Sequence, residues 1–241
     1  MAEAIRVQKA IARSGLMSRR RAEEAIAEGR VAIDGRKAVL GDRVDIDTEK
    51  VLLDGVALPV KPGLETHLLY KPRGVISTAD DRRGRSTVVD LVKTTARVFP
   101  VGRLDADSEG LILVSNDGDL TNLVTHPSHG ITKKYTVLVL GKLNKAEVRR
   151  LVAGVELDDG PARALSAAIV GTSPGRTMIE MTMGEGRNRE IRRMFEVLGH
   201  DVVRLVRTAI GPITDQHLEP GESRLLEPAE ILALNQAAKR E

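Results

Sequence analysis

The segment "LDADSEGLILVSND", residues 104–117, sets Asp105, Asp107 and Glu109 at alternate positions, follows them with Gly110, and runs into an aliphatic stretch. Alternating carboxylates suit two chemistries: they can surround a cation, or one of them can attack an electrophile. A helix–loop–helix calcium site needs oxygen ligands at positions 1, 3 and 5, a glycine at 6 and a bidentate glutamate at 12. Position 12 counted from Asp105 is Asn116, and Leu111 to Val114 reads as a short buried strand ending in a turn, not as a helix. Calcium is therefore set aside. What an acidic loop is for when it leads directly into a buried strand is then a question for the rest of the chain.

Other matches to chemical motifs fail on mechanics. "GTSPG", residues 171–175, has the serine-hydrolase elbow spelling, but Pro174 has no N–H to offer an oxyanion and a strand follows where a helix is needed. It reads as a surface turn. His126 and His129 in "HPSH" lack further ligands nearby, and Pro127 breaks any helix that would align them, so a loop is expected. There is no phosphate-binding glycine loop of either common type, which leaves nucleotide cofactors without support.

The 241 residues, 41% of them hydrophobic, are enough for one or two domains with real cores. No apolar run approaches the ~18 residues of a membrane span and no basic-then-apolar leader is present, so a cytosolic location is expected. The absence of cysteine removes disulfides, thiolate nucleophiles and cysteine zinc sites together. Net charge is only +3, but its distribution is uneven. Arg6, Lys9, Arg13, Arg19, Arg20, Arg21, Arg30, Arg36 and Lys37 crowd the first 37 residues, and Arg187, Arg189, Arg192, Arg193, Arg204 and Arg207 form a late group. Two such clusters point to nucleic acid. Arg19, Arg20 and Arg21 follow a serine start, in a first helical turn where the dipole disfavours cations unless an anion such as phosphate neutralises them.

The elements that must hold these residues follow from periodicity. Residues 5–12 and "RRRAEEAIAEG" read as two short helices, "RVAIDGRKAVLGDRVDID" as short strands around an Asp-Gly turn, and "EKVLLDGVAL" as one more strand. This makes a small unit over residues 1–58. "PVKPG" marks a linker at 59–65, and 66–241 is a second, larger unit. There "HLLYKP", "GVIST", "GLILVS", "KKYTVLVLG" and "RTMIEMTMG" read as strands, with helices near 120–125, 144–153, 189–198 and from Pro228. The expected class is α+β or mixed, not a regular βαβ repeat.

"SRRRAEEAIAEGRVAIDG", within a match over about residues 5–55, resembles the small RNA-binding domain named after bacterial small-subunit ribosomal protein four. "VGRLDADSEGLILVSNDGDL" is similar to the signature of pseudouridine synthases of the RsuA/RluB type, as are "YKPRGVIST" and "EGRNREIRRMFEVLGH" in the same order, and the wording of the last is nearest the RluB subgroup. The family usually has threonine where this chain has Ser108. The resemblance implies a uridine-to-pseudouridine isomerase acting on a flipped base in ribosomal RNA, most simply of the large subunit, as a cytosolic monomer without cofactor or metal. It implies Asp105 as nucleophile, Arg192 as the cation paired with it, and Tyr135 packed on the target uracil. On the same resemblance Arg103 supports the loop or contacts the RNA, and Lys133, Lys71, Arg73, Arg187 and Arg189, with Arg19, Arg20 and Arg21, are implied RNA contacts. Asp107, Glu109 and Asp119 are read as loop supports. The rivals are a small-subunit rRNA synthase, a ribosome-assembly factor that binds without modifying, and a metal-dependent nuclease using Asp105, Asp107 and Glu109.

Overall fold

The computed structural model describes residues 4–46, 48–58 and 63–238. The expected linker therefore falls largely, at 59–62, outside the described residues. The chain divides into two compact units: Met1–Glu65 with Thr94–Arg97 and Asn116–Gly118, and a larger one made of Thr66–Lys93, Val98–Ser115 and Asp119–Glu241.

In the smaller unit β1 (Ile5–Arg6) leads into α1 (Val7–Arg13) and α2 (Arg19–Ala27), followed by β2 (Val31–Ile33), β3 (Arg36–Lys37), β4 (Arg43–Val44), β5 (Val51–Leu53) and β6 (Val56–Ala57). The helix expected from residue 5 begins two residues later, because Ile5 and Arg6 pair with Val44 and Arg43. Ser18 caps α2 by accepting from the Arg21 amide at 3.3 Å. The stretch read as one more strand is a hairpin: Asp34-Gly35 and Asp54-Gly55 both take positive φ, the signature of tight turns joining β2 to β3 and β5 to β6. Val7, Ile11, Ala22, Ile26, Val31, Ile33 and Val51 fill the core.

The larger unit contains β7 (Thr66–Lys71), β8 (Phe99–Val101), β9 (Glu109–Ser115), α3 (Gly118–Thr125), β10 (Lys133–Leu140), α4 (Lys145–Ala153), β11 (Val155–Leu157), β12 (Gly160–Ala162), β13 (Ser166–Ser173), β14 (Arg176–Met183), α5 (Glu190–Val197), β15 (Val202–Ile210), β16 (Ile213–Thr214), β17 (Ser223–Leu225) and α6 (Pro228–Ala237). α3 carries Asp119, read from the sequence as a loop support, in its first turn, so this residue lies inside a helix. The main sheet runs β13-β14-β10-β15-β9-β7-β17, with β16 on β15 and β8 on β9. Its pairs are antiparallel except β15 with β9. The fold is α+β, as expected. Leu68, Leu111, Leu113, Leu120, Val124, Ile210 and Leu234 form one core. No helix among the described residues is long and apolar enough to cross a membrane.

"GVIST" is not a strand: Ile76 makes one isolated bridge with Thr87, and the backbone of this stretch bonds instead to residues 86–88. "GTSPG" does form the turn of a hairpin, between β13 and β14, and "HPSH" closes into a single 3-10 turn.

Candidate active site

The loop carrying Asp105 is fixed by its carbonyls. Arg103 O accepts from Arg207 Nη1 at 3.4 Å, Leu104 O from Ser77 Oγ at 2.8 Å, and Asp105 O from the Ser108 amide at 3.1 Å. Ala106 O accepts from the Gly74 amide at 2.7 Å, Asp107 O from Arg192 Nη2 at 3.1 Å, and Ser108 O from Lys71 Nζ at 2.7 Å. All six consecutive carbonyls from 103 to 108 are thus engaged, by donors from four separate stretches of chain. Leu104 N also donates to Ser77 Oγ at 3.0 Å. A loop whose backbone acceptors are all satisfied has little freedom to rearrange.

Its three carboxylates have different surroundings. Glu109 is buried and holds Arg204 in a two-pronged pair at 3.0 and 2.9 Å. Asp107 accepts from Arg189 Nη1 at 3.2 Å and pairs with Arg192 Nη2 at 3.3 Å. The Asp105 carboxylate is half-buried and has no hydrogen bond or ion pair among the described residues. It lines an open cleft with Arg103, Ser108, Tyr135, Arg187 and Arg189.

Tyr135 sits on β10, between Met181 of β14 and Arg207 of β15. Strand alternation puts it on the face shared by Val137 and Val139, and all three are buried. It is the aromatic of the cleft, in a chain with only two tyrosines and two phenylalanines.

Several expected contacts are relocated. Arg192 does not pair with Asp105: its guanidinium is on Asp107, with Nη1 on the Val202 carbonyl at 3.0 Å. Burial lowers its pKa from the ordinary arginine value, Asp107 opposes that fall, and Asp105 opposes it more weakly through space. Lys71, expected on RNA, is fully buried, its ammonium taken by Ser108 O and by Pro72 O at 3.0 Å. Desolvation lowers its pKa to about 8 against the pull of Asp107, Asp105 and Glu109. Lys133 likewise turns inward, onto the carbonyls of Ile131 at 2.7 Å and Val124 at 3.1 Å, and desolvation lowers it to about 8.

The late arginine group is not a free cationic surface. Arg187 bonds Glu190, Asp159 and the Gly160 and Pro161 carbonyls, and Arg193 bonds Asp158 and Asp159. Arg207, missed as a support, is buried with Nε on the Leu111 carbonyl at 2.6 Å. Arg73, Arg103, Arg19, Arg20 and Arg21 are exposed, as an RNA contact requires.

These positions can be set beside known proteins. The family model described as RNA pseudouridylate synthase matches residues 65–197, more than half of the chain. The chain belongs to the RNA pseudouridine synthase family. A second model, the S4 domain, matches residues 5–49 of this RNA pseudouridine synthase. It is 45% identical over 97% of its length to an uncharacterised RNA pseudouridine synthase of Mycobacterium leprae, covering 93% of that protein. It is 38% identical to the ribosomal large subunit pseudouridine synthase B of Bacillus subtilis, over 97% of this chain and 96% of that one. A crystal structure of a pseudouridylate synthase superposes with a TM-score of 0.69 at 28% identity, covering 95% of this chain and 99% of that chain.

Proposed function

We propose that this synthase isomerises uridine in large-subunit ribosomal RNA, with Asp105 as the nucleophile and Tyr135 packed against the flipped base. The observation that carries the reading is Asp105 itself: an unpaired carboxylate in the same cleft as the aromatic, on a loop with every carbonyl from 103 to 108 engaged. A rigid backbone holds the carboxylate in place for reaction while leaving its oxygens available.

The steps balance without a co-reactant. Asp105 Oδ attacks ribose C1′ and the C1′–N1 bond breaks with its electron pair moving to the base. The base turns against Tyr135, C5 bonds to C1′ as the carboxylate leaves, C5 loses a proton and N1 gains one. Stacking is worth about 1–3 kcal/mol per base, comparable to the cost of extruding it. Arg192, through Asp107, positions the loop and adds positive charge behind it. The name of the Bacillus relative supports the large subunit as substrate. The unit containing the S4-domain match would bind the RNA, and the protein would act in the cytoplasm as a monomer without metal or cofactor.

The test uses rRNA carrying tritium at uridine C5, which isomerisation releases to water. Wild-type protein should release it, and Asp105→Asn should lower release by at least about 10³-fold with RNA affinity within about twofold. Release by Asp105→Asn at the wild-type rate removes Asp105 as nucleophile. No release from any rRNA or precursor subunit favours an RNA binder, and chelator-sensitive strand cleavage favours the nuclease.

A further inference from the structure

We propose that residues 78–87 form a stapled arginine finger whose Arg82 and Arg83 grip the phosphate backbone of the RNA beside the nucleotide in the cleft. This inference rests on the RNA-modifying role proposed above. It starts from a shortage: the arginines that crowd the late sequence are held by Asp107, Glu109, Asp158, Asp159 and backbone carbonyls. Phosphate must then be met by cations elsewhere in this unit.

"DDRRGR", residues 80–85, supplies them. Asp81 grips Arg85 with both oxygens, Nε to Oδ2 at 3.1 Å and Nη2 to Oδ1 at 2.7 Å, and also accepts from the Arg85 amide at 2.9 Å. Gly84, at φ +69°, closes the turn, its amide donating to Asp81 O at 3.1 Å. Arg82 and Arg83 lie within this staple, exposed, and their guanidiniums have no partner among the described residues. Of the three arginines here, Arg85 is locked to Asp81 and the other two are exposed. A guanidinium is a planar fork that matches a phosphate, and a loop held before binding loses less entropy when it binds.

The base of the finger is joined to the reactive loop. Ile76 donates to Ser86 O at 3.0 Å and accepts from the Val88 amide at 3.0 Å, and Thr87 is fixed by Asp90 at 2.7 Å. The next residue, Ser77, is the one bonded both ways to Leu104, directly before Asp105. The finger therefore projects from the segment that holds the nucleophile loop, which places its cations on RNA flanking the target and gives them no base-reading role.

The experiment measures tritium release and filter binding on one probe, a protein-free large-subunit rRNA transcript labelled at uridine C5, across a range of salt. Arg82→Gln with Arg83→Gln should raise KM and Kd about tenfold, keep kcat within about twofold, and flatten the log–log salt slope by about 1 to 2, as expected for two lost phosphate contacts. Asp81→Asn separates a shaped finger from bulk charge, because it keeps every arginine and removes a negative charge. Diffuse attraction predicts tighter binding; the finger predicts KM and Kd several-fold higher. Wild-type KM, Kd and slope in the double variant, or tighter binding by Asp81→Asn, overturns the proposal. Absence of tritium release from wild type defeats the functional reading instead, and the binding arm still tests the finger.

Discussion

Lys71 is among the largest side chains fully removed from solvent, and its ammonium faces backbone carbonyls with no carboxylate oxygen among the described residues bonded to it. It is a positioning residue: it caps the loop that ends in Ser108 and puts a positive charge beneath three carboxylates. The cost of that arrangement is visible in its titration. Folding moves Lys71 from the ordinary 10.5 down to about 8, so between those values the unfolded chain binds a proton that the folded chain lacks. Stability contributed by this group therefore rises with pH through that window, by at most about 1.4 kcal/mol per pH unit. Urea unfolding of wild type and Lys71→Met at about pH 7.5 and 9.5 should show the wild type gaining on the variant at the higher pH. A wild-type advantage that shrinks with pH would mean that the folded protein favours the charged lysine, and would refute this account.

At the scale of elements, the junction of β9 with β15 decides whether the nucleophile loop and the sheet meet. Gly110 follows Glu109 at φ +102°, and a Cβ there would lie 2.2 Å from Arg207 O and 2.6 Å from Arg207 N. These are backbone atoms of Arg207, which cannot yield as a flexible side chain would, so Gly110→Ala should cost more than about 3 kcal/mol or prevent folding. Gly175→Ala is the control: φ is +70° in the hairpin turn but nothing lies within 4 Å, so the cost should be about 1 kcal/mol. Thermal melting of the two variants compares them, and equal losses would mean that the close approach is unimportant. This junction was not legible in the sequence, because β15 did not look like a strand. Arg204 and Arg207 stand three apart, so a strand sends them to opposite faces, one to Glu109 and one into the core, and their charge read as surface. β13 was missed for the contrary reason, since as a sheet edge it has little apolar alternation. The elements that carry Asp105 and Tyr135, a loop before an aliphatic strand and an alternating strand, were legible in the pattern, whereas the roles expected of the two residues came from the family resemblance alone. Which of three alternate carboxylates Arg192 would meet, from 85 residues away, has no signal in spacing.

For the whole molecule, charge position matters more than the net value of +3. The late arginines are neutralised by partners, whereas Arg19, Arg20 and Arg21 stand exposed in the first turn of α2 behind the Ser18 cap, with no acidic residue in that turn. Cations there oppose the helix dipole by about 0.3–1 kcal/mol each, so the folded protein alone has no use for them. Replacing all three with glutamine should therefore stabilise the smaller unit slightly while weakening rRNA binding and flattening its log–log salt slope by about 2 to 3. The two effects have opposite signs, which separates a binding role from damage to the fold. Melting temperature together with filter binding at several salt concentrations reads both. A triple variant that keeps the wild-type salt slope would take this helix out of the RNA contact surface, and one that loses both affinity and melting temperature would mean the arginines serve the fold.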